Sequence, residues 1–336
     1  MFCWEAINYY LKRLTGAKSQ DSLASVAAKC IEIAPPEIRP NRPTIMLPGI
    51  LQRIKAYCPD TTVELEQERL GTNSRKHGGT YAYLLKDAIM LDGTLFADGM
   101  GMHLLPKRRH RLWANLSHLS GEFALASSLY GNIYWGHWLL DDCPKYFLAE
   151  QYGECVTPLR AKYGHQADYE RLMGMKLREI NAVKFESLWV FDDYGQNSSK
   201  AARFSQMREA LLQAINMPSP ASHTGVYLTR GMAGARRYLV NEPEVAEFMA
   251  ARGFRVLDPM KSSVEEILRA SAGAKIVAGV EGSGLAHAIA LMAPESTLMV
   301  INPPNRFNNV YKDMTDCMNT NYAVVMGILS GEDFYA

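Results

Sequence analysis

The sequence predicts an α/β protein whose C-terminal half is a parallel sheet with helices on both faces. Three observations carry that expectation, all between Gly225 and Asp313. Short apolar runs recur at Val226–Leu228, Phe254–Leu257, Lys275–Val280 and Thr297–Ile301, as in strands buried on both sides. Helical stretches with start and stop signals separate them. Asn241 followed by Glu244 opens one that Gly253 closes, and Ser262 with Glu265, or Ser263 with Glu266, caps the next. Strands alternating with helices of this length define the class.

The centre of this half is the run Ala274 to His287. Its apolar strand leads into Glu281-Gly-Ser-Gly284, a turn with two residues free to take positive φ, and Leu285 to Met292 reads as a helix. A strand, a glycine turn and a helix leave backbone N–H groups at a helix N-terminus, a ready phosphate site. Many α/β proteins use such a turn only for packing, so the flanks matter. Ligands of open parallel sheets sit at the carboxyl ends of the strands, where Arg230, Arg236, Arg237 and the Glu281–Gly284 turn all fall. A pyrophosphate between arginines and a helix N-terminus follows from the electrostatics.

Composition sets the bounds. The chain has 336 residues, enough for two domains, and a net charge of +1. No nucleic-acid partner and no strong membrane attraction is implied. Six cysteines without Cys-x-x-Cys or metal-ligand spacing point to a reduced, cytoplasmic chain. No basic-then-apolar leader and no apolar run of membrane-spanning length stands out. Without a secretory signal, the acceptor patterns at Asn115 and Asn197 carry little weight.

From the N-terminus, residues 1–34 read as helical, with Trp4, Ile7, Tyr10 and Leu11 on one face and Leu23, Val26 and Ala27 on the next. The proline-rich segment Ala34–Pro43 is an extended connector. Residues 80–105 suggest hairpin strands, Ala88–Leu91 then Thr94–Phe96. The basic run Lys107–Arg111 reads as a solvated loop first, and as a contact for an anionic acceptor or lipid head groups second.

Gly131 to Pro144 is the second informative stretch. As a helix it places Tyr134, His137, Trp138 and Asp141 on one side. Aromatic faces beside a His and a carboxylate suit a sugar-binding cleft, and a buried amphipathic helix with a hydrogen-bonded His accounts for the pattern equally well. Helical segments follow to about 183, then a strand Leu188–Phe191 ending at Asp192-Asp193, then a helix over about 199–215. The segment Met217–Ser222 is a linker, giving an N-terminal domain over 1–220, a C-terminal domain over 221–310, and a tail over 311–336 that can cross back to the first.

Several of these blocks together resemble glycosyltransferase family 61. They are Thr229-Arg230, Arg236-Arg237, Asn241-Glu242, Gly253-Phe254, Ser263–Glu266, Gly284-Leu285 and the Pro294 break, with Gly136-His-Trp-Leu-Leu-Asp141 and Pro144 like the family's first block. The resemblance covers roughly residues 90–315. It implies a GT-B architecture, two Rossmann-like domains facing across a cleft, with a nucleotide-diphosphate sugar (a UDP-sugar first) held by the C-terminal one. It also implies inverting transfer without metal or cofactor, onto a glycan or lipid-linked glycan acceptor, in bacterial capsule, exopolysaccharide or lipopolysaccharide assembly. The site it implies has Arg230, Arg236, Arg237, Glu281, Gly282, Ser283, Gly284, Leu285 and Asn302 on the donor and His137 or Asp141 as the base. Such an enzyme is expected in the cytoplasm, with peripheral contact to the inner face of the membrane.

Two departures stand out. The family usually has His-Gly-Ala-Gly-Leu where this chain has Glu281-Gly-Ser-Gly-Leu285, and a carboxylate near a phosphate is unfavourable unless it points away or pairs with an arginine. The strand after Pro294 often carries a Glu suited to ribose hydroxyls. Here it is Met299-Val-Ile-Asn302, which makes Asn302 the substitute.

Other classes fit less well. A serine hydrolase needs Gly at positions 281 and 285, which are Glu and Leu. A dehydrogenase needs its glycine fingerprint after the first strand of its half, not the third. A metal-dependent transferase would use Asp192-Asp193. A binding protein without catalysis is the non-enzyme alternative, prompted by Glu281.

Overall fold

The computed structural model describes residues 4–14, 22–106, 111, 113–231 and 237–330. By backbone contacts the chain forms two compact units that interleave in sequence. The first takes Met1–Pro36, Gly78–Glu170 and Gly174–Gly195, and the second takes Glu37–His77, Arg171–Met173 and Gln196–Ala336. The linear boundary expected at 217–222 lies inside the second unit.

The first unit is built on a nine-stranded mixed sheet. Its strands are β1 (Lys29–Ala34), β2 (Thr80–Lys86), β3 (Ile89–Leu91), β4 (Thr94–Ala97), β5 (Met100–His103), β6 (Ser117–Leu125), β7 (Glu154–Pro158), β8 (Arg178–Ile180) and β9 (Ala182–Asp192). The order is β8-β7-β6-β9-β3-β4-β5, with β2 also on β9 and β1 on β2. The strands β6 to β9 are parallel to one another, β9 is antiparallel to β2 and β3, and β3, β4 and β5 pair antiparallel in turn. From β6 the chain steps outward through β7 and β8, then returns to the other side of β6 as β9. The carboxyl ends of β6 and β9 therefore flank a switch point. Leu85, Met90, Leu125, Val156, Phe185 and Leu188 fill the core beneath it.

Three expectations fail in this unit. Residues 29–34 are a strand, because Ile31 and Ile33 alternate on an edge instead of repeating at helical spacing. In the helix Trp4–Leu14, Trp4 and Leu11 are exposed and Tyr9 is the buried anchor, edge-on to Phe96. Between 154 and 183 only Gln166–Leu172 is helical, while the apolar runs at 154–158 and 178–180 extend the sheet.

The second unit holds an all-parallel six-stranded sheet. Its strands are β10 (His223–Leu228), β11 (Phe254–Leu257), β12 (Ala274–Val280), β13 (Thr297–Asn302) and β14 (Asn321–Met326), in the order β11-β10-β12-β13-β14, and the two-residue strand Ile45–Met46 closes the edge beside β14. The turn of order falls between β10 and β12. Tyr227, Ala278, Val280 and Ile301 pack there against Met249. The helix Val264–Ser271 carries the expected capping box of Ser263 and Glu266. The helix Glu242–Ala250 does not use its expected cap, since Asn241 makes no side-chain cap. Residues 310–326 form a helix and β14 of this sheet. Residues 37–77 are bound into the same unit: Glu66 is fully buried, accepts from the Asn309 amide (2.7 Å), and pairs with Arg69, which also pairs with Asp313 (2.9 Å).

Candidate functional site

In the second unit the carboxyl ends of β10 and β12 are bridged directly. Arg230, two residues after β10, donates from Nη1 to the carbonyl of Glu281 (3.1 Å), the residue after β12. What aims Arg230 is Glu242 at the start of the next helix. Its carboxylate accepts from the amides of Arg230 (2.8 Å) and Gly231 (2.9 Å), pinning the turn. Gly282 has φ +152°, and its bare Cα leaves the space in which the Arg230 guanidinium lies. Only glycine supplies both the conformation and the room.

Glu281 is almost fully buried and its carboxylate is ion-paired to Arg237, with Arg306 Nη1 3.5 Å away. The unfavourable carboxylate is thus placed between two arginines. Burial, then the neighbouring Arg230 and Arg306, pulls Arg237 down to about 10 despite Glu281. Burial also lowers Arg230. Three guanidinium groups with the carboxylates of Glu281 and Glu242 leave a net charge of +1 at the site, in which a further anion would relieve the repulsion. The Tyr311 hydroxyl donates to the Gly282 carbonyl (2.9 Å) and fixes the turn from the other side.

The helix expected over 285–292 is much shorter. Ser283–Leu285 is a 3₁₀ turn and Ala286–Ile289 a single helical turn, so dipole support for a phosphate is small and the arginines dominate. Ser283 and Gly284 are half-buried, while Leu285 packs into the core. Beside the turn, at the ends of β12, β13 and β14, is a cavity of about 220 Å³ lined by Arg237, Asn241, Val280, Asn302, Pro304 and Gly327 among others. Asn302 is fully buried against the Tyr322 hydroxyl, and among the described residues neither of its amide atoms makes a well-formed hydrogen bond. The structure therefore brings together Arg230, Arg237, Glu281, Gly282 and Asn302. Arg236 and residues 107–110 lie outside the described residues, and Arg111 pairs with Asp92 (2.7 Å).

His137 and Asp141 belong to the first unit. The stretch is not one regular helix: Leu129–Ile133 and Trp135–His137 are short α segments, Trp138–Asp142 is a π turn, and Cys143–Ala149 continues as α-helix. Such π turns are frequent at functional sites. His137 Nδ1 lies 2.7 Å from Asp141 Oδ2, and both side chains stay partly exposed. The rings of Tyr130 and Tyr134 lie 5.6 and 5.9 Å from the imidazole. Trp138 does not share that face, because it is buried and stacked on Trp135.

Sequence reasoning passed over four residues. Arg306 comes from a loop held by segment 55–58, with the Pro304 carbonyl accepting from the Lys55 amide (2.6 Å) and the Phe307 amide donating to Ala56 (2.9 Å). Glu242 acts 11 and 12 residues from its partners and Tyr311 29 residues from Gly282. Asp142 had a local signal, an acidic pair with Lys145 three residues on. It is buried, accepts from the Ser128 amide (3.1 Å), and burial pushes its pKa up to about 6. Asp192 and Asp193 diverge: Asp193 is buried on the Thr80 hydroxyl (3.1 Å), and Asp192 is exposed. Among the described residues no three His, Cys, Asp or Glu side chains gather as a metal site. Nor is any helix there long and apolar enough to cross a membrane.

Ligands of open parallel sheets sit at the strand ends, and the chemistry of an arginine bridge there suits an anionic one. The family model Glycosyltransferase 61 matches residues 135–300, and through that region the chain belongs to glycosyltransferase family 61. The match begins just before His137 and ends within β13. No curated protein matches the chain.

Proposed function

We propose that the chain is an inverting glycosyltransferase of GT-B organisation. It moves a sugar from a nucleotide-diphosphate donor, a UDP-sugar first, to a glycan or lipid-linked glycan. The carrying observation is the Arg230–Glu281 bridge with Arg237 and Arg306 around it. These cations hold the diphosphate and stabilise the charge that grows on it as the glycosidic bond breaks. The Gly282–Gly284 turn contributes amides, and the cavity ending at Asn302 takes the nucleoside. The unit that holds His137 and Asp141 carries the acceptor side, and the unit that holds residues 37–77 and the strands β10 to β14 carries the donor.

His137 and Asp141 supply the base. In one arrangement Asp141 holds the Nδ1 proton and Nε2 takes the proton of the acceptor hydroxyl; in the other the Asp141 carboxylate takes it directly. The oxygen attacks the anomeric carbon from the face opposite the diphosphate, which inverts the centre. No metal is needed in this scheme. The chain works in the cytoplasm, at the inner membrane face, in bacterial surface polysaccharide assembly.

One observation favours a second reading. Glu281 already pairs with two of the three arginines, as in a protein that binds sugars or nucleotides without turning them over. A panel of nucleotide sugars, followed by nucleoside diphosphate release with and without acceptor, decides between them. Release above the uncatalysed rate supports the transferase. Binding without release supports the second reading, and neither binding nor release overturns both.

A further inference from the structure

The switch point of the first sheet is open as well. Between the carboxyl ends of β6 and β9 is a cavity of about 420 Å³, within the roughly 300–1,000 Å³ of small-molecule sites. Its walls include the apolar Leu125, Met100, Val190 and Phe191; Ser127, Lys145, Asp192 and Tyr194 are polar groups near the strand ends, and Ser22, Tyr83, His103 and Ser128 add others around the wall. Lys145 is the unusual member. It is 5% exposed, its nearest carboxylate oxygen is Asp142 Oδ1 at 3.8 Å, and among the described residues it makes no hydrogen bond. That oxygen of Asp142 is itself buried without a hydrogen bond. The ammonium opens onto the cavity, where acceptor oxygens reaching it would make charge-assisted hydrogen bonds.

The chemistry of the missing acceptors follows from the charges around them. Asp142 already balances Lys145, and Asp192 adds a second carboxylate, so an anion would meet net repulsion. A ring carrying several hydroxyls fits each group. Its oxygens accept from Lys145 and its hydroxyls donate to Asp192. Ser127 Oγ, which accepts from Asn132 Nδ2 (2.8 Å), keeps a proton to donate. Tyr194, 62% exposed and with its ring centroid 5.7 Å from Lys145 Nζ, offers an aromatic face for the C–H side of such a ring. We propose that the cavity at the ends of β6 and β9 binds a neutral saccharide, with Lys145, Asp192 and Ser127 reading its hydroxyls. Its role as the seat of the acceptor's terminal sugar rests on the transferase reading above; the binding itself does not.

Saturation-transfer NMR on the full chain tests it, using methyl glycosides of glucose, galactose, mannose and N-acetylglucosamine, with methyl glucuronide as the anionic probe. Transfer to at least one neutral glycoside is expected. It should fall at least tenfold in Lys145→Met, and also in Ala24→Trp, which puts bulk at the exposed rim should the first variant fold poorly. UDP affinity is measured in parallel. Saccharide binding without UDP binding would leave this inference standing and remove the donor assignment. UDP binding with no saccharide transfer, transfer to the glucuronide alone, or transfer unchanged in a folded variant overturns this inference only.

Discussion

The Arg230 guanidinium occupies the space that a side chain at Gly282 would need, and its Nη1 donates to the carbonyl next door, on Glu281. Cation and turn are therefore one unit. Arg230→Ala removes a charge-assisted contact worth about 1.5–3 kcal/mol, roughly 10- to 150-fold in UDP affinity. Gly282→Ala is expected to weaken UDP by a similar factor, by dislodging Arg230 and straining the turn. Calorimetric titration checks both, and wild-type affinity in a folded Arg230→Ala removes the assignment.

Glu281→Gln separates stability from binding. Breaking a buried pair costs about 3–5 kcal/mol, so the melting temperature should fall by several degrees. The cluster also loses the carboxylate that pairs with Arg237 and Arg306, so UDP should bind about tenfold tighter. A variant that melts lower and binds UDP more weakly would mean that Glu281 organises the arginines for the ligand.

For the base, His137→Ala and Asp141→Asn are each expected to lower turnover 10²- to 10⁴-fold with UDP affinity unchanged. Near-normal turnover in both would end the assignment to this pair. A larger loss in Asp141→Asn than in His137→Ala would make the carboxylate the base.

Asp142 governs a pH dependence of stability. Its folded pKa of about 6 lies above the ordinary value of 3.8, because burial disfavours the carboxylate. The folded chain then holds a proton that the unfolded chain releases. This contribution is complete below about pH 4 and is lost as pH rises through about 6, on the order of 3 kcal/mol. Asp142→Asn keeps an acceptor for the Ser128 amide and should flatten the melting temperature between pH 4 and 6. An unchanged profile would show that another group sets it.

Chelation should leave transfer intact, since Arg230, Arg237 and Arg306 can neutralise the diphosphate and Asp192 and Asp193 face different surroundings. Activity abolished by EDTA and restored by Mn²⁺ would promote the metal-dependent mechanism instead.

What could be read from the sequence tracks how local each signal is. The strands β10 to β13, the Ser263–Glu266 cap and the β12 turn announce themselves within a few residues and lie where their residues placed them, whereas β14 and the edge strand Ile45–Met46 went unread, and the tail expected to cross back joins this sheet instead. The Arg230–Glu281 bridge spans 51 residues, but both ends carry local marks, an arginine after a strand and a glycine turn. Arg306 carries none, because a loop arginine looks like any other until residues 55–58 hold it in place. The edge strand Lys29–Ala34 was hidden by a helical neighbour, and β7 by its brevity. The π turn at Trp138–Asp142 is invisible to helical spacing. It buries Trp138 and Asp142 while leaving His137 and Asp141 partly exposed.

The strand Ile45–Met46 beside β14 and the 55–58 hold on the Arg306 loop constrain any attempt to exchange parts between relatives. A graft starting near residue 221 would carry β10 to β14 but leave behind an edge strand, the anchor of one of the three arginines, and the Glu66–Arg69–Asp313 chain of ion pairs. A chimera that transplants donor preference must therefore move two separated pieces of sequence, residues 37–77 together with the C-terminal region.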